Sequence, residues 1–243
     1  MSEREKILAR IRDALSIASP KPGPHDTGLH PAAQQPHLLA KARKAAGAAR
    51  DWLPQVGALS DDWIAMFAKN SVALQTRFIV AADAAAAHGQ LRMLADAEGW
   101  TRLATHGTTM AAEAAATLGL PILNTDGGYD VNLMETCDAG ITECDALIAQ
   151  TGSVMLTTRS GGGRALSVLP PHHVVIARGE QLVPDLPAAY ALLHHTYGPV
   201  AWPSMITLIT GPSRTGDIER ILVLGAHGPK KLTVLVYSHS PSN

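Results

Sequence analysis

The sequence predicts an α/β protein, a mixed sheet with flanking helices, preceded by an N-terminal helical arm. Three observations carry this reading. Across residues 77–123, short apolar runs rich in β-branched residues alternate with alanine-rich stretches through brief joints, several of them containing glycine, as a parallel sheet with crossover helices requires. Across residues 146–236, six more apolar runs recur with a single helical stretch among them, so the second half is rich in strands. The third is size: 243 residues, 46% hydrophobic and 17% charged, bury a full core without disulfides or structural metals.

The elements follow in chain order. Ser2-Glu3-Arg4-Glu5 reads as a capping box, and Ile7, Leu8, Ile11 and Leu15 recur at helical spacing, giving a short amphipathic helix. Between Ser16 and Pro36, Pro20, Pro22, Pro24, Pro31 and Pro36 with Gly23 and Gly28 preclude a helix and predict a mobile linker. The arm is thus residues 1–36 and the α/β domain residues 37–243. The arm's helix has two readings, packing on its own core or a neighbouring subunit, or docking in a partner's groove. Helical segments run through Arg50 and from an N-cap at Ser60 through Phe67. Then come a strand at Arg77–Val80, a helix at Ala84–Glu98, a strand at Arg102–Ala104, a helix at Thr109–Leu118 and a strand at Pro121–Leu123. Further strands are expected at Ala146–Ala149, Val154–Leu156, Val174–Ile176, Ile206–Ile209, Leu222–Leu224 and Thr233–Val236, with a helix at Pro187–His195.

Composition excludes several functions. Cys137 and Cys144 are the only cysteines, with six residues between them and no CxxC, so thiolates cannot build a four-cysteine zinc site or an iron–sulfur cluster in this chain. No apolar run approaches the roughly 18 residues of a membrane span, and the N-terminus lacks the apolar stretch of a signal peptide, so a reducing cytoplasm is expected. The formal charge of −1 hides a basic start: residues 1–50 hold nine Lys/Arg against four Asp/Glu, and the remainder eleven against seventeen. A basic arm can steer toward an acidic partner, but it lacks the aromatics and dense Lys/Arg stripe of a nucleic-acid surface. There is no GxGxxG after the first strand for a dinucleotide and no GxSxG for a hydrolase, and the adjacent pairs His172-His173 and His194-His195 diverge too far to chelate one metal.

Three segments can carry chemistry. Gly140-Ile-Thr-Glu-Cys-Asp-Ala-Leu-Ile-Ala-Gln-Thr-Gly-Ser-Val154 puts Glu143 before a strand and Thr151, Gly152 and Ser153 in a turn between strands. Glu143 is either a base or nucleophile or simply a turn cap, and the turn either faces a ligand or is a plain hairpin. Thr210-Gly-Pro-Ser-Arg-Thr-Gly-Asp-Ile-Glu219 follows a strand and leads toward a short helix, where free amides with Gly211, Ser213, Arg214, Thr215 and Asp217 form the best anion site in the chain. Asp217 and Glu219 can instead satisfy those amides internally. In Leu224-Gly-Ala-His-Gly-Pro229, His227 is either a proton-transfer or oxyanion residue or an idle turn histidine. Ser160-Gly-Gly-Gly-Arg164 lacks the Gly-Lys-Ser/Thr end of a phosphate loop and reads as a flexible loop with, at most, an anion role.

The first of these segments through Ser153, Leu169-Pro-Pro-His-His173, Leu208-Ile-Thr-Gly-Pro-Ser-Arg-Thr-Gly-Asp-Ile-Glu219 and Leu224-Gly-Ala-His-Gly-Pro-Lys-Lys-Leu232, in this order, resemble the lactate utilization protein C family, built on the LUD domain. The resemblance runs from about residue 37 to 237, and Glu5-Lys-Ile-Leu-Ala-Arg-Ile-Arg12 fits it as well. It implies a fold like the NagB/RpiA/CoA transferase group, with a ligand cleft beside the strand ends. It also implies a part in a three-component bacterial system oxidising L-lactate to pyruvate, in which the partner proteins carry the iron–sulfur clusters and this chain no cofactor. It brings no established catalytic residue, so Glu143, His227 and the loop residues stand as candidates by position and chemistry. A stand-alone enzyme acting on a sugar phosphate, nucleotide or CoA ester, with Glu143 as base or nucleophile, is the alternative that the fold group permits.

Overall fold

Two sheets and one short antiparallel pair hold the strands. In the computed structural model, residues 54–107, 110–198, 201–215 and 223–237 are described. The amphipathic arm, the proline-rich linker and the boundary between residues 36 and 37 lie outside the described residues. The chain runs α1 (Ser60–Leu74), β1 (Arg77–Ala81), α2 (Ala84–Glu98), β2 (Leu103–Thr105), α3 (Met110–Ala116), β3 (Ile122–Asn124), α4 (Val131–Glu135), β4 (Ala139–Thr142), β5 (Ala146–Ile148), β6 (Ser153–Thr157), β7 (His172–Arg178), β8 (Leu182–Val183), α5 (Leu186–Tyr197), β9 (Ile206–Ile209), β10 (Arg214–Thr215), β11 (Val223–Leu224) and β12 (Lys231–Tyr237).

The larger sheet is parallel throughout, in the order β1-β12-β7-β4-β2-β3. Its central strands β7 and β12 are buried along nearly their whole length because both their faces are covered. One face packs Leu103, Ile141, Val174, Ile176 and Leu235 against Leu91, Leu94 and Ala95 of α2 and the alanines of α3. The opposite face packs Val175, Ala177, Leu232 and Val234 against Phe67 of α1 and Leu147, Val154 and Leu156 of the smaller sheet. That second sheet has the order β8-β5-β6-β9, antiparallel except for the β5–β8 pair. The expected mixed α/β class holds: the larger sheet is parallel, the smaller one mixed, and β10–β11 forms a separate antiparallel pair.

Helix α2 ends where its caps dictate. The Asp83 carboxylate accepts the Ala86 amide at 2.8 Å, and Gly99 takes the left-handed conformation that stops the helix. Helix α1 begins at Ser60, but Leu59 is its flanking residue, and Asp62 rather than Ser60 supplies the cap by accepting the Leu59 amide at 3.2 Å. The largest local departure from expectation follows β9. Arg214 and Thr215 form β10, paired antiparallel with β11, where the sequence suggested the approach to a helix. Residues 216–222, Asp217 among them, lie outside the described residues.

Candidate functional site

Two of the segments singled out in the sequence form one wall. After β9, Gly211, Ser213 and Arg214 line a cavity of about 340 Å³ together with His227 and Gly228 from the loop between β11 and β12. The loops are stitched by their backbones: the Ser213 amide donates to the Pro229 carbonyl, and the Gly225 amide to the Ser213 carbonyl, each at 2.9 Å. The Ser213 amide is therefore engaged, which corrects the expectation of free amides here. The loop offers an anion the exposed Arg214 guanidinium, whose forked donors match a carboxylate, with the Ser213 hydroxyl beside it. Thr215 follows in β10 but does not line the cavity.

The amino end of β7 contributes a residue that sequence reasoning missed. His173 lines the same cavity although only 1% exposed, and its Nε2 lies 2.9 Å from the Thr142 hydroxyl. Burial, reinforced by neighbouring His172, pushes its pKa down to about 3, so the cavity meets a neutral imidazole. The strand pattern was the available signal, since consecutive residues of a central strand face opposite ways and one of the two histidines had to face this cavity's side.

Thr151, Gly152 and Ser153 do form the expected turn between antiparallel strands, but none of them lines this cavity. The Asn70 side chain donates to the Ala149 and Gln150 carbonyls at 2.8 and 3.1 Å, docking the turn on α1. Gly152 has φ +67°, and a Cβ there would sit 2.8 Å from Asn70 Cβ and 2.9 Å from Leu74 Cδ1. The Thr151 hydroxyl donates to Ser153 Oγ, which bonds the Thr210 hydroxyl, both at 2.8 Å. The turn therefore touches the cavity only through Thr210, which lines it.

Glu143 lies elsewhere, so the structure does not bring it together with His227. It lines a second cavity, of about 430 Å³, with His106, Asp145, Arg159, Ser160 and Tyr197 among the other walls. Asp145 organises this cavity, accepting the Tyr197 hydroxyl at 2.5 Å, the Thr157 amide at 2.9 Å and the Ser160 hydroxyl. Burial, and then the bond to Asp145, raise the Tyr197 pKa and keep the phenol protonated. The Ser160 carbonyl accepts the Glu143 amide at 3.1 Å and His106 Nε2 at 3.0 Å, tying together the ends of β4 and β2. The glycine-rich stretch after Ser160 is a structural brace. The amides of Gly161, Gly162 and Gly163 donate to the Thr157, Arg159 and Thr158 carbonyls, and a Cβ at Gly162, with φ +60°, would collide with the His106 ring. Its amides are thus spent within the turn and form no phosphate cradle.

Cys137 and Cys144 are buried free thiols, and burial pushes the pKa of both upward. Among the described residues no three His, Cys, Asp or Glu side chains cluster as metal ligands, and no helix is long and apolar enough to cross a membrane.

The architecture defines an open-sheet α/β domain with a cavity at each end of its parallel strands. The LUD domain profile matches residues 64–237. Lactate utilization protein C of Geobacillus kaustophilus is 29% identical over 223 residues, spanning 82% of this chain and 91% of that protein. Its counterpart in Bacillus velezensis is 30% identical over 193 residues, spanning 74% and 80%. With lactate utilization protein C of Geobacillus sp. (strain WCH70), identity reaches 38% over 112 residues, and the match spans about half of each chain, 45% and 46%. A crystal structure of a DUF162 family protein from Deinococcus radiodurans shares the fold, with a TM-score of 0.56 at 19% identity over 74% of this chain and 99% of that one. The chain belongs to the LUD domain family, alongside the lactate utilization protein C proteins.

Proposed function

We propose that this chain serves bacterial lactate utilization as a non-redox subunit in the cytoplasm, working with iron–sulfur partner proteins that oxidise L-lactate to pyruvate. The names of its relatives support the lactate role. Two buried cysteines with raised pKa values are too few to ligate a cluster and poorly suited to be thiolate ligands, which supports assigning the electron carriers to partners. The observation that carries the site is the convergence of Ser213, Arg214, His227 and buried His173 on one cavity from three separate stretches of chain. In this reading Arg214 holds the carboxylate of a small organic anion by two parallel hydrogen bonds, Ser213 orients it, and the neutral imidazole of His173 closes the floor.

The test replaces Arg214 by Ala in a tagged copy that is the sole source of the protein in bacteria grown on L-lactate. Growth should fail while the variant stays folded and still co-purifies, under anaerobic conditions, with coloured iron–sulfur proteins that bleach on adding lactate. Normal growth would remove Arg214 from the function. A colourless single chain captured from wild-type cells would overturn the subunit reading.

A further inference from the structure

The cavity around Glu143 holds two charges of opposite sign that the fold keeps apart. It lies at the carboxyl ends of β2, β4 and β7, and the topology explains why a crevice opens there. Adjacent strands β2 and β4 send their connections to opposite faces, β2 to α3 on the α2 side and β4 to the β5–β6 hairpin on the α1 side. Loops leaving neighbouring parallel strands in opposite directions cannot close over each other. The volume of about 430 Å³ is in the range of small-molecule clefts.

Most polar groups in the walls are already committed. Asp145 accepts from three donors, His106 Nε2 donates to Ser160, the Gln181 amide donates to the Cys144 carbonyl, and Glu180 pairs with Arg178 at 3.8 Å. Two groups are not. The half-buried Glu143 carboxylate has no hydrogen bond or ion pair among the described residues, and neither does Arg159 have a carboxylate partner among them. Each is held from its own side. Glu143 is fixed by its backbone bond to Ser160, while the Arg159 guanidinium stacks 5.1 Å from the Tyr197 ring centroid and donates to the Ala201 carbonyl at 3.4 Å. An unpaired anion and an unpaired cation lining one cavity are the complement of a molecule that carries both charges. Asp145 and Glu180 add negative charge to the same walls, favouring an ammonium as one of the ligand's two ends.

We propose that this crevice binds a zwitterionic amino acid, its carboxylate on Arg159 and its ammonium on Glu143, at a site separate from the Arg214 cavity. The inference stands whether or not the Arg214 cavity holds a ligand.

Calorimetric titration of the full chain with L-alanine, β-alanine and γ-aminobutyrate tests it by stepping the separation of the two charges. At least one should bind saturably at millimolar concentration, while acetate and methylamine, each carrying one charge, should bind about tenfold or more weakly. Arg159→Met, which keeps the packing on Tyr197, and Glu143→Gln should each weaken the best ligand by about tenfold or more, and Arg214→Ala should leave it unchanged. Amide shift perturbations should cluster at His106, Gly107 and Tyr197 and spare residues 210–214. Absence of saturable binding by all three amino acids, binding that survives both Arg159→Met and Glu143→Gln, tighter binding of gluconate, or loss in Arg214→Ala alone would each overturn the proposal.

Discussion

His172 and His173 leave β7 on opposite faces and meet different surroundings, yet both are kept neutral. His172 lies edge-on to Trp100 at 5.2 Å with Nε2 2.9 Å from the Thr233 hydroxyl, and its buried Nδ1 has no partner, so a second ring proton would find no acceptor. Burial pushes His172 down to about 4, outweighing nearby Glu98, and pushes His173 down to about 3. Both values lie below the ordinary histidine range near 6.5, so the unfolded chain takes up protons that the native state refuses. The stability these residues contribute is fully present above about pH 6.5 and is lost as pH falls toward their native values. Between about pH 7 and pH 5 the loss should be on the order of 2 kcal/mol for each histidine, in a window where most carboxylates remain ionised. Denaturant unfolding across that window should show the slope, and His173→Asn, which can still bond Thr142, should remove about half of it. An unchanged slope in the variant would mean that His173 titrates alike in the native and unfolded states.

At the scale of elements, legibility followed local signals. Helix α2 was readable to the residue because Asp83 and Gly99 mark its ends, and β9 because Ile206, Leu208 and Ile209 fall together and stop at Thr210-Gly211. Strand β4 was not, since Ala139 and Gly140 carry no β-propensity and earn their place by burial between β2 and β7. Two-residue β8 and β10 and five-residue α4 are too short for periodicity to register. The β5–β6 turn was visible as Thr-Gly-Ser, but its docking on α1 through Asn70, some eighty positions earlier, was not. That docking predicts that Gly152→Ala destabilises the fold by about 1–3 kcal/mol, from left-handed backbone strain and the collision with Asn70 and Leu74. Asn70→Ala should cost about 1–3 kcal/mol through two lost bonds to partly buried carbonyls. Both are read from the urea midpoint, and a shift within about 0.5 kcal/mol of wild type for both would mean that the hairpin does not need the helix.

For the whole molecule, the question is how two cavities share one sheet. The segments 210–215 and 224–229 each stood out in the sequence and meet through the β10–β11 pairing and the Ser213 backbone bonds, but His173 joins them only because β12 lies beside β7, which no local pattern encodes. The same holds for Arg159 and Tyr197, brought to Glu143 by the smaller sheet and α5. His173 of the Arg214 cavity sits near the amino end of β7, and Glu180 of the Glu143 cavity follows its carboxyl end. With seven residues in the strand, the two ends lie about 20 Å apart. Sites so separated, with no shared wall residue, couple weakly unless the element between them has two arrangements, and β7 is paired along its length with β12 and braced by β4. On the proposed reading, with L-lactate as the organic anion of the Arg214 cavity, its thermal stabilisation should therefore persist in Arg159→Met, and that by the best amino acid should persist in Arg214→Ala. Both should vanish in the double variant, and with both ligands present in wild type the two stabilisations should sum to within about 0.5 kcal/mol. A surplus or deficit beyond about 1 kcal/mol would mean that occupancy at one end of β7 changes affinity at the other, and the reciprocal titration would have to show the same factor.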